Sequence, residues 1–185
     1  MTNPTLLEPL VAIYRDKSWR RYGLSRVTQL EHALQGGLLA EQAGRPAHLI
    51  VATLLHDVGH MIHDLGESPA AEGVDDRHQR LGADFLSQWF GLDVTTPVRL
   101  HVAAKRYLCH AEAGYEAGLS DDSVRSLRLQ GGAMNAAEAE RFRDTRGFED
   151  AVELRRYDDL AKVAGLPTPA FDHFLPYLMR CTTAR

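Results

Sequence analysis

The stretch that most constrains this chain follows Pro46 and reads AHLIVATLLHDVGHMI. As far as Leu55 it is apolar on nearly every side, so a helix here has no face to show to water and belongs at the centre of a core. Pro46 stands where a helix start tolerates proline. The run closes on His56 and Asp57, with His60 one turn on. Unpartnered polar groups at the end of a buried helix cost roughly 1–3 kcal/mol each. Something must compensate them.

A chain of 185 residues, 44% hydrophobic and 25% charged, suits one soluble domain with its own core, and the single domain is taken to span residues 1–185. The net charge of -4 argues against a general nucleic-acid binder. No window is long and apolar enough for a membrane span, and MTNPTLLEPL lacks the basic start and apolar stretch of a secretory signal. These features predict a cytoplasmic protein without nucleic-acid or membrane partners, as a monomer or small homo-oligomer. Cys109 and Cys181 make neither a disulfide framework nor a thiolate metal site. Nine histidines, by contrast, are many for this length.

Helical periodicity dominates. Helices are expected around 5–16, from Gln29 with Thr28 as N-cap, continuously over 47–62, from Arg77 to a stop at Gly91, and from Pro97 as the first position of the next. Others follow over SDDSVRSLRLQGG, NAAEAERFRDTRG and FEDAVELRRYDDLAKVAG, with a short one after Pro167. Residues 64–75 read as loop. No alternating strand pattern occurs, and the fold class is all-α.

On these helices the polar residues form a constellation. His32 lies early in the second main helix, His78 opens a later one, His101 precedes Lys105 by four residues, and Asp158 is far downstream. Residues four apart share a face, so His56 with His60, and His101 with Lys105, are expected to point the same way. Adjacent helix positions diverge by roughly 100°, so His56 and Asp57 cannot form one pincer. A carboxylate can bridge two cations, however. Asp57 would join two metals, with His32, His56 and Asp158 at one and His78 and His101 at the other. Imidazole and carboxylate without thiolate suit iron, manganese or zinc. Any one histidine alone is an ordinary core or surface residue; the ordered set is what points to metal.

The motifs QLEHALQ around His32, LLHDVGH, His78 followed by GADFL, HVAAKRYL, LSDDS, LQGGAM and LRRYD resemble the HD-domain superfamily of metal-dependent phosphohydrolases and oxygenases. HVAAKRYL followed by LQGGAM is similar, more narrowly, to the mixed-valence diiron oxygenases that cleave organophosphonates, relatives of myo-inositol oxygenase. The resemblance runs from Tyr22 to about Lys162. It implies an HD-domain helical bundle around two irons, Fe(II)/Fe(III), with dioxygen as co-substrate. It makes His32, His56, Asp57 and Asp158 ligands of one iron, and Asp57, His78 and His101 ligands of the other. It gives His60, Lys105, Ser123 and Arg155 to the phosphonate, and Tyr22 to an iron position until substrate arrives. Aminophosphonate-cleaving members carry a glutamate three residues after that tyrosine; here Ser25 stands there. A quaternary ammonium donates no N–H hydrogen bonds, so serine favours (1-hydroxy-2-(trimethylamino)ethyl)phosphonate, yielding glycine betaine and phosphate, over 2-amino-1-hydroxyethylphosphonate. The same ligands would serve an HD phosphohydrolase, which activates water anaerobically. A third reading, a metal-bound regulatory module without turnover, leaves the Lys105, Ser123 and Arg155 anion set unexplained.

Overall fold

Two short segments decide where the chain places its polar residues: the turn after the buried helix and the loop before His78. The structure is a computed structural model and describes residues 4–16, 26–63, 65 and 69–183; Tyr22 and Ser25 lie outside the described residues. Among those described, the order is α1 (Glu8–Asp16), α2 (Gln29–Gln42), α3 (Ala47–Leu55), α4 (Val58–Ile62), α5 (His78–Leu86), α6 (Leu92–Ala111), α7 (Asp121–Leu129), α8 (Ala136–Arg143), α9 (Phe148–Leu160) and α10 (Leu175–Cys181). An isolated antiparallel bridge joins Phe90 and Thr182. The all-α expectation holds.

Thr28 caps α2 as expected, in a reciprocal pair. Its hydroxyl accepts from the Glu31 amide at 3.1 Å, and the Glu31 carboxylate accepts from the Thr28 amide at 2.7 Å. That start fixes His32 in the first turn, fully buried. Helix α3 is apolar all round, with Leu49 to Leu55 all buried, and it packs against α2, α6, α9 and α10. Burying a side chain such as Leu54 contributes ~1.5–3 kcal/mol. A second, smaller cluster of Ala104, Met134, Ala139, Phe142 and Ala151 holds α8 onto α6 and α9.

The continuous helix over 47–62 is not formed. His56 and Asp57 make a turn, with Asp57 at φ -100° and ψ 12°, and the chain restarts as α4. His56 and His60 therefore do not share a face: His56 turns toward His32 and His60 toward Asp76. The restart also lets α4 come close to α5. A Cβ at Gly59 would lie 2.1 Å from the His78 carbonyl oxygen, so no other residue fits there without moving one helix.

A second correction concerns α6. It begins at Leu92 rather than Pro97, and Gly91 is its N-cap instead of the stop of α5. Pro97 sits inside this 20-residue helix, where its missing N–H leaves the Asp93 carbonyl without that bond and its ring crowds the same carbonyl. His101 thus falls in the middle of α6, where it shares a buried face with Lys105; the two are 2% and 3% exposed.

Candidate metal centre and anion pocket

The fold brings together His32 from α2, His56 and Asp57 from the turn after α3, His78 from the start of α5, His101 from α6 and Asp158 from α9, all buried. Four of these are imidazoles, and each points one ring nitrogen outward to an oxygen that can only accept. His32 Nδ1 lies 2.8 Å from the Ala161 carbonyl, His56 Nδ1 2.8 Å from the Thr53 carbonyl, and His101 Nδ1 2.7 Å from the Val98 carbonyl. His78 Nδ1 lies 2.8 Å from the Asp76 carboxylate. These contacts place the N–H on Nδ1, which in a neutral ring leaves a lone pair on Nε2.

The lone pairs converge. Nε2 of His32 is 3.3 Å from Nε2 of His56, and Nε2 of His78 is 3.1 Å from Nε2 of His101. Asp57 stands between the pairs. Its Oδ2 is 3.5 Å from His32 Nε2 and 3.3 Å from His56 Nε2, while its Oδ1 is 3.5 Å from His78 Nε2 and 3.6 Å from His101 Nε2. Asp158 Oδ1 joins the first pair, 3.4 Å from His32 Nε2. Among the described residues, buried Asp57 Oδ1 has no hydrogen-bond partner.

Such an arrangement fits two cations. Atoms each about 2.1 Å from one ion lie about 3.0–3.4 Å apart at right-angled to tetrahedral bond angles, close to the spacings found. One ion at each pair would replace lone-pair repulsion with coordination and occupy both oxygens of Asp57. Burial opposes charge on His56, yet in the metal-free chain the facing Asp57 carboxylate raises its pKa and favours the protonated form. Burial likewise opposes ionisation of Asp57, but the facing His56 holds it well below the usual carboxylate range. Burial, then His56 and His78, push His101 well down. Burial opposes ionisation of Asp158 too, and Arg155 and Lys162 hold it well below its ordinary value. Metal binding displaces such protons.

Next to this centre lies a cavity of ≈ 90 Å³ whose lining includes Asp57, His78, His101 and Asp158 of the centre together with His60, Lys105, Ser123 and Arg155. Lys105 Nζ donates to Ser126 Oγ at 2.6 Å, and Arg155 Nη2 to Ser123 Oγ at 3.3 Å. Arg155 is fixed from behind by Asp158, 2.6 Å from Nη1, and by Asp159. Arg156, the next residue along, is exposed and pairs with Glu112. Burial, and then Arg155, lower the Lys105 ammonium to about 7. Two buried cations and hydroxyl donors beside a metal centre suit a small dianion.

Asp76 and Ser126 also belong to the site, though no sequence motif singles them out. Asp76 carries the imidazoles of His60, His63 and His78. The sequence does offer a carboxylate two residues before His78, in VDDRH, and metal-binding histidines commonly donate their other ring N–H to a carboxylate. Ser126 lies one turn after Ser123 on the same face of α7. His63 is buried against Asp76.

The HD domain family matches residues 29–139. The chain is 38% identical over 175 residues, 95% of its length and 89% of the relative's, to (1-hydroxy-2-(trimethylamino)ethyl)phosphonate dioxygenase (glycine-betaine-forming) of Leisingera caerulea. It is 46% identical over 158 residues, 84% of its length and 78% of the relative's, to hydroxymethylphosphonate dioxygenase of Gimesia maris. Converging lone pairs around one aspartate and similarity along nearly the whole chain lead to one conclusion: the chain belongs to the HD-domain family and is a relative of these phosphonate dioxygenases.

Proposed function

We propose that this chain holds two iron ions, Fe(II) and Fe(III), and uses dioxygen to cleave the C–P bond of a 1-hydroxyphosphonate, giving a carboxylate and phosphate. The observation that carries the reading is the pair of lone-pair clusters on either side of Asp57, set against a cationic pocket, in a chain whose relatives are named phosphonate dioxygenases. His32, His56, Asp57 and Asp158 hold one ion; Asp57, His78 and His101 hold the other. The ions, when bound, supply the redox chemistry that dioxygen requires.

The chain's own residues bind and orient. Lys105, Arg155, Ser123 and His60 take the phosphonate oxygens, so the carbinol carbon faces the metal side of the cavity. Positioning of this kind supplies much of an enzyme's advantage, because it removes the entropy of encounter. Arg155 donates to Asp158 as well as to Ser123, so the phosphonate end and the first metal position share one rigid side chain. By the family resemblance, Tyr22 would hold an iron position until substrate arrives, and Ser25 would take part in recognising the substrate's amine end. No side chain serves as nucleophile. We place the reaction in the cytoplasm, in a monomer or small homo-oligomer; no described helix is long and apolar enough to cross a membrane.

The first substrate is (1-hydroxy-2-(trimethylamino)ethyl)phosphonate, supported by the relative matched over 95% of the chain and by Ser25. A second, hydroxymethylphosphonate, is supported by the 46% identical relative. The test is phosphate release by iron-loaded protein from both compounds and from the primary-amine analogue, in air and under argon. Oxygen-dependent release is expected, with the trimethylammonium compound turned over fastest. Release from ordinary phosphate esters under argon, and none from phosphonates in air, would make the protein an HD phosphohydrolase.

A further inference from the structure

A second histidine cluster abuts the candidate metal centre. The Asp76 carboxylate lies 2.7 Å from His60 Nδ1 and 3.1 Å from His63 Nε2 through Oδ2, and 2.8 Å from His78 Nδ1 and 3.2 Å from the His78 amide through Oδ1. His60, His63 and Asp76 are close enough to hold an ion of their own, but their hydrogens are arranged against it. His63 Nδ1 accepts from the Leu65 amide at 3.2 Å, so its N–H is on Nε2 and points at Asp76. His60 and His78 likewise direct Nδ1 at the carboxylate. Four donors meet the roughly four lone-pair sites of one carboxylate, and no site is left for a metal.

The backbone is bent to make this possible. Arg77, between Asp76 and His78, has φ 49° and ψ 33° and is the one non-glycine residue with positive φ among those described. A left-handed residue there is unfavourable for an L side chain. It folds the Asp76 side chain back beside the His78 ring. Strain at a site is kept where surrounding contacts over-determine it, and here they do: the His60 and His78 rings stack with centroids 3.9 Å apart at 24°.

We propose that Asp76 is a positioning residue that sets the second metal position and the anion pocket together. Through Oδ1 it fixes His78 with the proton on Nδ1, leaving Nε2 for an ion beside His101 and Asp57. Through Oδ2 it aims His60 into the cavity, with His63 as the buttress. The inference rests on the proposed function for what the two histidines bind, but the proton placement stands without it. Asparagine cannot replace this carboxylate. It has one acceptor oxygen for four donors, and its amide would face N–H groups with N–H.

The test compares wild type, Asp76→Asn and Asp76→Glu by three measurements: nitrogen NMR of the histidine rings in metal-free protein, iron bound per chain, and KM and kcat for phosphate release from the phosphonate that wild type converts. In metal-free wild type, His60 and His78 should carry the proton on Nδ1 and His63 on Nε2. In Asp76→Asn, His78 loses that preference, affinity for the second iron falls by about 10–100-fold, and KM rises in parallel, while Asp76→Glu restores part of both. A His78 proton on Nε2 in wild type would overturn the proposal. So would a folded Asp76→Asn protein with unchanged iron affinity and KM. If Asp76→Asn does not fold, the wild-type ring protonation and Asp76→Glu decide. Wild type that binds no iron or releases no phosphate would sink the proposed function instead, and the ring protonation would still judge Asp76.

Discussion

Two clusters of histidine and aspartate lie side by side in this molecule, built from the same residue types and sharing His78. Around Asp57 the ring hydrogens point outward and the lone pairs inward, with one carboxylate oxygen left unpartnered. Around Asp76 the hydrogens point inward onto a carboxylate with every acceptor site used. The first cluster asks for cations and the second excludes them. The difference teaches that residue type and proximity do not define a metal site. The partners of the outer ring nitrogens do, because they decide where the proton sits.

The sharpest way to break the comparison is at Asp57. Asp57→Asn should abolish binding of both ions and reduce phosphate release to background, since one side chain serves both positions; metal analysis of the purified variant, beside its turnover, checks this. Retention of two ions would mean that Asp57 is not shared. Gly59→Ala comes next, because the added Cβ would lie 2.1 Å from the His78 carbonyl at the contact joining the clusters. It should cost at least about 3 kcal/mol, the upper end of ordinary overpacking, and weaken iron binding, both readable by calorimetry and metal titration.

Each iron site filled in metal-free protein at about 100 times its dissociation constant should stabilise the fold by about 2.7 kcal/mol. That corresponds to roughly 5–11 °C in Tm for a chain of this size, and a chelator should reverse it. A Tm indifferent to iron would remove the argument from converging lone pairs.

Lys105→Met should raise KM for the phosphonate about 10–100-fold, the worth of one buried charge-assisted hydrogen bond. The pH dependence has a definite sign. Burial and Arg155 hold the Lys105 ammonium at about 7, and only the charged form attracts a dianion. Therefore kcat/KM falls as pH rises through about 7, and bound metal ions, being positive, move the fall lower still. A profile flat to pH 9 would argue against Lys105 as an anion contact. The smallest effect on the site belongs to His63→Leu, which removes one donor from Asp76 and touches neither ion: about 1.5 kcal/mol in stability, with iron content unchanged.

Much of this was legible in the sequence because it is local. The apolar run before His56 dictated a buried helix, Thr28 and Glu31 dictated where α2 starts, and the order His, His-Asp, His, His, Asp named six residues that the fold does bring together. Two local readings failed for local reasons. Hydrophobic periodicity cannot register a two-residue turn inside an apolar stretch, so the break at His56 and Asp57 was missed. A proline near a helix start is tolerated at more than one position, so the start of α6 was misplaced by five residues.

The composition of the centre was thus written in the chain, since helix faces and spacings follow from covalent geometry and side-chain volume. What only the tertiary structure decided was the hydrogen-bond partner of each ring. His32 is oriented by a carbonyl 129 residues away at Ala161, and the Asp158 carboxylate reaches it from α9. Arg77 in its left-handed conformation turns Asp76 onto three imidazoles at once. Proton positions depend on which acceptor lies within hydrogen-bond reach of a nitrogen, and that distance is fixed only when the helices have packed.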